Sequence, residues 1–314
     1  LFVDHVSRVP NEGDYFVSEI AGESFIIVRS YDGVVRGFYD VCRHRGSRIC
    51  KNKQGNARLF ICPYHAWSYD LNGSLVSART MKRNFDQMKW GLHQCHVRVA
   101  EGLIFVNLSN EIPTDFEKFI EPFLPALRLH GLADAKIGHK GSYPTEANWK
   151  LTLENFFECY HCQSSHPEYC QVHPKDFILA HGGGKGTGPE GSEELYQPKH
   201  DRFMERAKRM GHDIGSFSEG PESTHFRGFD RTAINSGWLS ETCDGAPAAP
   251  LMGEFNDWDG GYTSLSFNPF STLLMTNDFA TAFRFSPMDV NKTNVEITWF
   301  VDSNAQEGKN FDKN

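Results

Sequence analysis

Apolar and polar positions alternate in short runs along the first third of the chain. Ser24-Phe25-Ile26-Ile27-Val28 and Val34-Val35-Arg36-Gly37-Phe38-Tyr39 are rich in β-branched and aromatic residues, and Tyr31-Asp32-Gly33 separates them. That pattern predicts strands joined by a hairpin turn across residues 14–39. Similar runs follow at Leu59-Phe60-Ile61 and Gly102-Leu103-Ile104-Phe105-Val106, with a turn at Asp70-Leu71-Asn72-Gly73. The character changes after residue 112. Thr114-Asp115-Phe116-Glu117-Lys118-Phe119-Ile120 reads as a helix with a capping residue at its start, and residues 149–165 carry the strongest helical period. Strand-like runs return at Thr272-Leu273-Leu274-Met275-Thr276 and Val295–Val301. The expected fold class is α+β, an all-β domain over residues 1–112 followed by an α+β domain over 113–314.

Composition narrows the function. The 314 residues carry a formal charge of −8, which argues against non-specific binding to nucleic acid or to an anionic membrane. No apolar stretch reaches the roughly 18 residues of a membrane span. The chain starts at Leu1 and ends at Asn314 in a polar run, so it is expected to be a piece of a longer protein, with any targeting peptide hidden. Eight cysteines are too sparse for a disulfide scaffold at this length. Four of them stand within two residues of a histidine, which suggests metal ligation in a reducing, cytoplasmic compartment.

Cys42-Arg43-His44 is followed, after 17 residues, by Cys62-Pro63-Tyr64-His65. Two thiolates and two imidazoles in mixed pairs suit a Rieske-type [2Fe–2S] cluster, with cysteines on one iron and histidines on the other. The rival is a structural zinc site, but zinc ribbons and fingers pair Cys with Cys and His with His. Ser47 and Tyr64 stand where a loop disulfide would need cysteines. Such loops resemble the lower-potential type, toward the low end of a range of roughly −150 to +300 mV.

A second signal lies at 148–167. Glu154, Glu158 and His161 share a face at helical spacing, and a solvated acidic stripe would look the same. His166 lies five residues on, about 140° around a continuous helix. Pro167 disfavours helical geometry at His166, so the helix should end near Ser165 and free His166 to share one metal with His161. Cys159 and Cys162 could bind zinc with His161, or be buried small apolar residues. Gln163 in place of histidine excludes c-type haem attachment. The glycine-rich run 182–191 lacks the Gly-Lys-Ser/Thr ending of a phosphate loop and reads as a lid or loop.

The two motifs, in this order, resemble the α subunits of Rieske non-haem iron oxygenases. The resemblance implies an all-β Rieske domain and a catalytic domain with an antiparallel, helix-grip-like sheet. It implies that Cys42, His44, Cys62 and His65 hold the cluster, and that His161 and His166 hold a mononuclear non-haem Fe(II). Glu158 would be catalytic, bridging His161 to a cluster histidine, matching His65, of the next subunit in a homotrimer. Asn155 would support it. The third ligand, a carboxylate, is expected beyond Asn314. Asp302 and Asp312 are the nearest acids, and both read as loop residues. Electrons would come from NAD(P)H only indirectly, through a separate reductase with or without a ferredoxin, and O2 and a small organic substrate would be the co-reactants.

The family usually has aspartate where Glu158 stands. That glutamate and the Glu-Cys-Tyr-His-Cys wording resemble the glycine betaine and carnitine monooxygenase branch, which implies oxidative demethylation of an N-methyl or quaternary amine. Phe267, Phe270, Phe279 and Phe283 could hold such a cation by cation–π contact or simply be core. The alternatives are an aromatic ring-hydroxylating dioxygenase and a Rieske electron carrier without oxygenase activity.

Overall fold

In the computed structural model, residues 1–79, 81–82, 84–111, 113, 115–159, 161–175, 178, 192–219 and 227–313 are described. The chain divides into two compact units, Leu1–Phe119 and Ile120–Asn314.

The first unit is all-β apart from short helical turns. Its strands are β1 (Phe2–His5), β2 (Asp14–Ile20), β3 (Glu23–Arg29), β4 (Val35–Tyr39), β5 (Gln54–Asn56), β6 (Phe60–Ile61), β7 (Ser68–Tyr69), β8 (Leu75–Ser77), β9 (Gln94–Ala100) and β10 (Leu103–Asn107). Seven form an antiparallel sheet in the order β1-β10-β9-β4-β3-β2-β5, and β6-β7-β8 make a small second sheet. The expected hairpin is β3–β4, closed by Gly33 at φ +78° and by Asp32 Oδ1 accepting from the Val34 N–H at 3.1 Å. The run Phe25-Ile26-Ile27-Val28 is apolar throughout because this sheet is covered on both faces. Ile26 and Val28 join one core with Phe38, Trp67 and Tyr69. Phe25 and Ile27 join another with Phe16, Ile104 and Val106. Cys42 and Cys62 belong to the first core, so the packed sheet anchors the two metal-motif loops. The helix α1 (Phe116–Ile120) packs Phe116 and Phe119 on Phe105 of β10, at ring distances of 5.3 and 6.2 Å. Thr114, its expected cap, lies outside the described residues. Asp115 supplies a cap instead, its Oδ1 accepting from the Glu117 N–H at 3.1 Å.

The second unit holds α2 (Leu124–Leu129), β11 (Ala135–Thr145), α3 (Trp149–Phe157), α4 (Cys162–Ser165), α5 (Pro167–Val172), α6 (Ser192–Met210), β12 (Phe217–Ser218), β13 (Gly228–Ala233), β14 (Gly261–Asn268), β15 (Ser271–Met275), β16 (Phe279–Asp289) and β17 (Lys292–Asp302). Its seven strands form one antiparallel sheet, β11-β17-β16-β15-β14-β13-β12. α3 lies against β16 and β17, and α6 against β13. The register puts Ser264, Leu274, Thr281 and Trp299 in one row across four strands, and all four line a single cavity. The next row, Leu265, Leu273, Ala282 and Thr298, points the other way and is buried. The strand pattern Phe-Ala-Thr-Ala-Phe-Arg-Phe at 279–285 fits this division, with Phe279, Thr281, Phe283 and Phe285 on the cavity side. No helix among the described residues is long and apolar enough to cross a membrane.

Candidate cluster and iron sites

The two metal-motif loops are built alike. The Cys42 N–H donates to the Ser47 carbonyl at 2.9 Å, and the Cys42 carbonyl accepts from the Gly46 N–H at 3.0 Å. The Cys62 N–H donates to the Trp67 carbonyl at 2.8 Å, and the Cys62 carbonyl accepts from the Ala66 N–H at 3.0 Å. Each turn needs a left-handed residue four places after its cysteine. Gly46 meets this at φ +71°, and Ala66 accepts it at φ +57°. These equivalent turns bring the His44 and His65 rings to 4.6 Å, and Cys42 and Cys62 close enough for a side-chain hydrogen bond.

Burial raises the Cys42 thiol above its ordinary value, and desolvation, with His65 and Arg45 nearby, lowers His44. Nδ1 of His44 is buried and has no hydrogen-bond partner among the described residues. A buried imidazole nitrogen left without a proton partner is what a metal ligand needs. The His44 ring stacks on Trp67 at 4.8 Å with planes 7° apart. The Tyr69 hydroxyl accepts from the Arg43 N–H at 3.1 Å, which leaves its own proton for Cys42 Sγ at 3.3 Å. Sequence reading missed Trp67 and Tyr69, although Trp67 directly follows the second loop's left-handed turn.

The second site differs from its expectation in two respects, the end of its helix and the state of its cysteines. The helix predicted over 149–165 stops at Phe157. Glu158 keeps the N–H bond to Glu154 at 3.1 Å but adopts extended φ/ψ of −106° and 146°. The physical reason is local. Glu158 turns to meet His161, three residues on, and Cys159 and Cys162 are joined as a disulfide across the next turn. Cys159 and Cys162 are therefore neither zinc ligands nor merely small apolar residues, the two roles expected of them. They bracket His161. The break at His166 is as the proline demands: α4 ends at Ser165, His166 sits at φ −133° and ψ 61°, and Pro167 opens α5. Tyr160 and the glycine run 182–191 lie outside the described residues.

Glu158 Oε1 lies 2.5 Å from His161 Nδ1, and the Asn155 amide flanks the same nitrogen at 3.3 Å. With Nδ1–H engaged, Nε2 is the nitrogen left for a metal. The His161 and His166 rings are 5.2 Å apart. Both histidines and Glu158 line a cavity of about 720 Å3. No three His, Cys, Asp or Glu side chains converge on one point among the described residues. Pairs suit a cluster that takes two ligands per iron, and two histidines suit an iron completed by other ligands. Asp302, expected to be a loop residue, instead ends β17 opposite Ala135, and its Oδ1 accepts from the Asn304 N–H at 2.8 Å.

Of the four phenylalanines considered, Phe279 and Phe283 line the cavity. Phe267 faces the core against Phe123, and Phe270 packs on Trp149. Tyr169, Glu241, Tyr262 and Trp299 also line the cavity and were missed. Only Trp299 had a local signal, the alternation Val295–Ile297–Trp299 in its strand.

Residues 1–99 match the Rieske [2Fe-2S] domain, and residues 132–314 match the ring hydroxylating alpha subunit catalytic domain. The chain is 31% identical to the glycine betaine monooxygenase oxygenase subunit of Chromohalobacter salexigens, over 99% of this chain and 68% of that one. It is 35% identical to the carnitine monooxygenase oxygenase subunit of Escherichia coli, over 53% of this chain and 46% of that one. Among solved structures, the quaternary ammonium Rieske monooxygenase CntA shares the fold, with a TM-score of 0.71 at 22% identity, covering 98% of this chain and 70% of that one. The chain therefore belongs to the ring-hydroxylating oxygenase α-subunit family, oxygenases that join a Rieske [2Fe-2S] domain to a catalytic domain with a non-haem iron.

Proposed function

We propose that Cys42, His44, Cys62 and His65 hold the cluster, that His161 and His166 hold the iron, and that the enzyme removes an N-methyl group from a quaternary or tertiary amine. The observation that carries this reading is the Glu158–His161 pair opening on an aromatic-walled cavity. The glycine betaine and carnitine monooxygenase subunits it resembles support an amine substrate.

When bound, the cluster relays single electrons and the iron activates O2 for insertion into a substrate C–H bond. The chain's own residues supply the frame. Glu158 holds the Nδ1–H of His161 and so fixes the ring's orientation. Phe279, Phe283 and Trp299 give the cavity apolar walls that exclude water from the reacting carbon. Hydroxylation of an N-methyl carbon yields a carbinolamine, which separates into amine and formaldehyde. Glu158 would also reach a cluster histidine, His65, of a neighbouring subunit, within a homotrimer arranged head to tail. A separate reductase, drawing on NAD(P)H in the cytoplasm, would load the cluster.

The test is O2 uptake and formaldehyde release by the holoenzyme with a reductase, using choline, glycine betaine and carnitine, with naphthalene as the ring substrate. The expected result is about one formaldehyde per O2 consumed with an N-methyl substrate. A diol from naphthalene without formaldehyde from any amine would replace this reading with ring hydroxylation. Cluster turnover without O2 uptake would make the chain an electron carrier.

A further inference from the structure

The cavity has a second polar focus that the proposed metal ligands do not use. Glu241 lines it, and its Oε1 lies 3.0 Å from Nε2 of His173. His173 is fully buried. Its ring lies 4.2 Å from that of Tyr169 and 4.6 Å from that of Tyr262, and both tyrosines line the same cavity. The carboxylate is thus held in place by a side chain that cannot move without displacing two aromatic rings. Burial first, and the charge of Glu241 second, raise both phenols above their ordinary value. Tyr169 and Tyr262 are therefore neutral phenols in the cavity wall, packed on the histidine that holds the acid. The other acidic side chains lining the cavity, Glu158 and Glu168, add to the same sign of field. A carboxylate fixed in a largely apolar cavity is best completed by a cation.

We propose, resting on the reading of this cavity as the substrate site, that Glu241 is the counter-ion for the substrate's ammonium group, with Tyr169 and Tyr262 as the aromatic faces beside it. The enzyme then selects cationic amines over neutral molecules of the same shape. The carboxylate supplies the charge attraction, and the ring faces add a cation–π contribution that a neutral tert-butyl group does not receive.

The experiment is equilibrium binding to the anaerobic holoenzyme of choline and of its neutral isostere 3,3-dimethylbutan-1-ol, by calorimetry. Wild type should bind choline tighter than the alcohol by about tenfold or more. E241Q should lose about that factor for choline and leave the alcohol within about twofold. E241D, which keeps the charge on a shorter stem, should give an intermediate ratio and serves also if E241Q is poorly folded. Equal binding of the two ligands by wild type, or an equal loss for both in E241Q, overturns the assignment. The outcomes separate from those of the demethylation assay. Choline selectivity that depends on Glu241, without formaldehyde from any amine, keeps Glu241 and removes demethylation. Formaldehyde from choline with an unchanged binding ratio in E241Q does the reverse.

Discussion

Glu158 Oε1 meets Nδ1 of His161 at 2.5 Å across the break between α3 and α4. The contact is made by an extended residue reaching over a disulfide-closed turn, so its geometry is set by a local break in the chain and not by helical spacing. A carboxylate on the ring N–H orients an imidazole and raises its basicity as a ligand.

Glu158→Gln keeps the size and removes the charge. It should retain both metals while losing most turnover, at least about tenfold in kcat, as loss of a supporting carboxylate typically costs 10–100-fold. The readout is cluster reoxidation in a single turnover, after pre-reduction and addition of substrate and O2. A wild-type reoxidation rate would remove Glu158 from the electron path.

Gly73 separates two costs of adding a methyl group. It sits at φ +83°, and a Cβ there would stand 2.3 Å from Cε1 of the buried Phe38. Gly22 has a similar φ of +85° with nothing within 4 Å. Gly22→Ala should cost about 1 kcal/mol from the backbone alone. Gly73→Ala should cost roughly 2–4 kcal/mol, the excess coming from overpacking beside the cluster loops. Denaturant unfolding of both variants checks this, and equal losses would show that Phe38 yields freely.

His130 makes part of the second unit's stability depend on pH. It is fully buried, with Nε2 2.9 Å from Thr263 Oγ1, and burial, helped by the charge of Arg231, depresses it to about 3. A base whose folded pKa lies below its unfolded value binds more protons unfolded. Its stabilising share is full above the unfolded value of about 6.5 and is lost as pH falls toward the folded one. His130→Gln should be destabilised at pH 7.5 by roughly 1–3 kcal/mol. The gap to wild type should narrow steadily by pH 5, with a slope difference of up to about one proton. A gap that stays constant over that range would show that His130 does not titrate on unfolding.

The parts of the site that sequence exposes are those built within a few consecutive residues. Cys42, His44, Cys62 and His65 sit in two self-contained turns, so their spacing reports their geometry directly. His166 before Pro167 is equally local. The end of α3 was hidden because Glu158 gives up helical geometry for a partner that spacing alone placed on the same helix. Phe279 and Phe283 differ from Phe267 only by which face of a strand they occupy, and that depends on the register with neighbouring strands. Glu241 and His173 are 68 residues apart and meet only when the unit folds.

The most direct test of the account is the iron and acid-labile sulfide content of the purified chain, with His65→Ala and His161→Ala beside it. Wild type should carry about three irons and two sulfides per chain, from one [2Fe–2S] cluster and one separate iron. His161→Ala should lose about one iron and keep the sulfide and the Rieske optical spectrum. His65→Ala should lose the spectrum. Zinc in place of iron with no acid-labile sulfide, or loss of both metals together in His161→Ala, would contradict two separate sites.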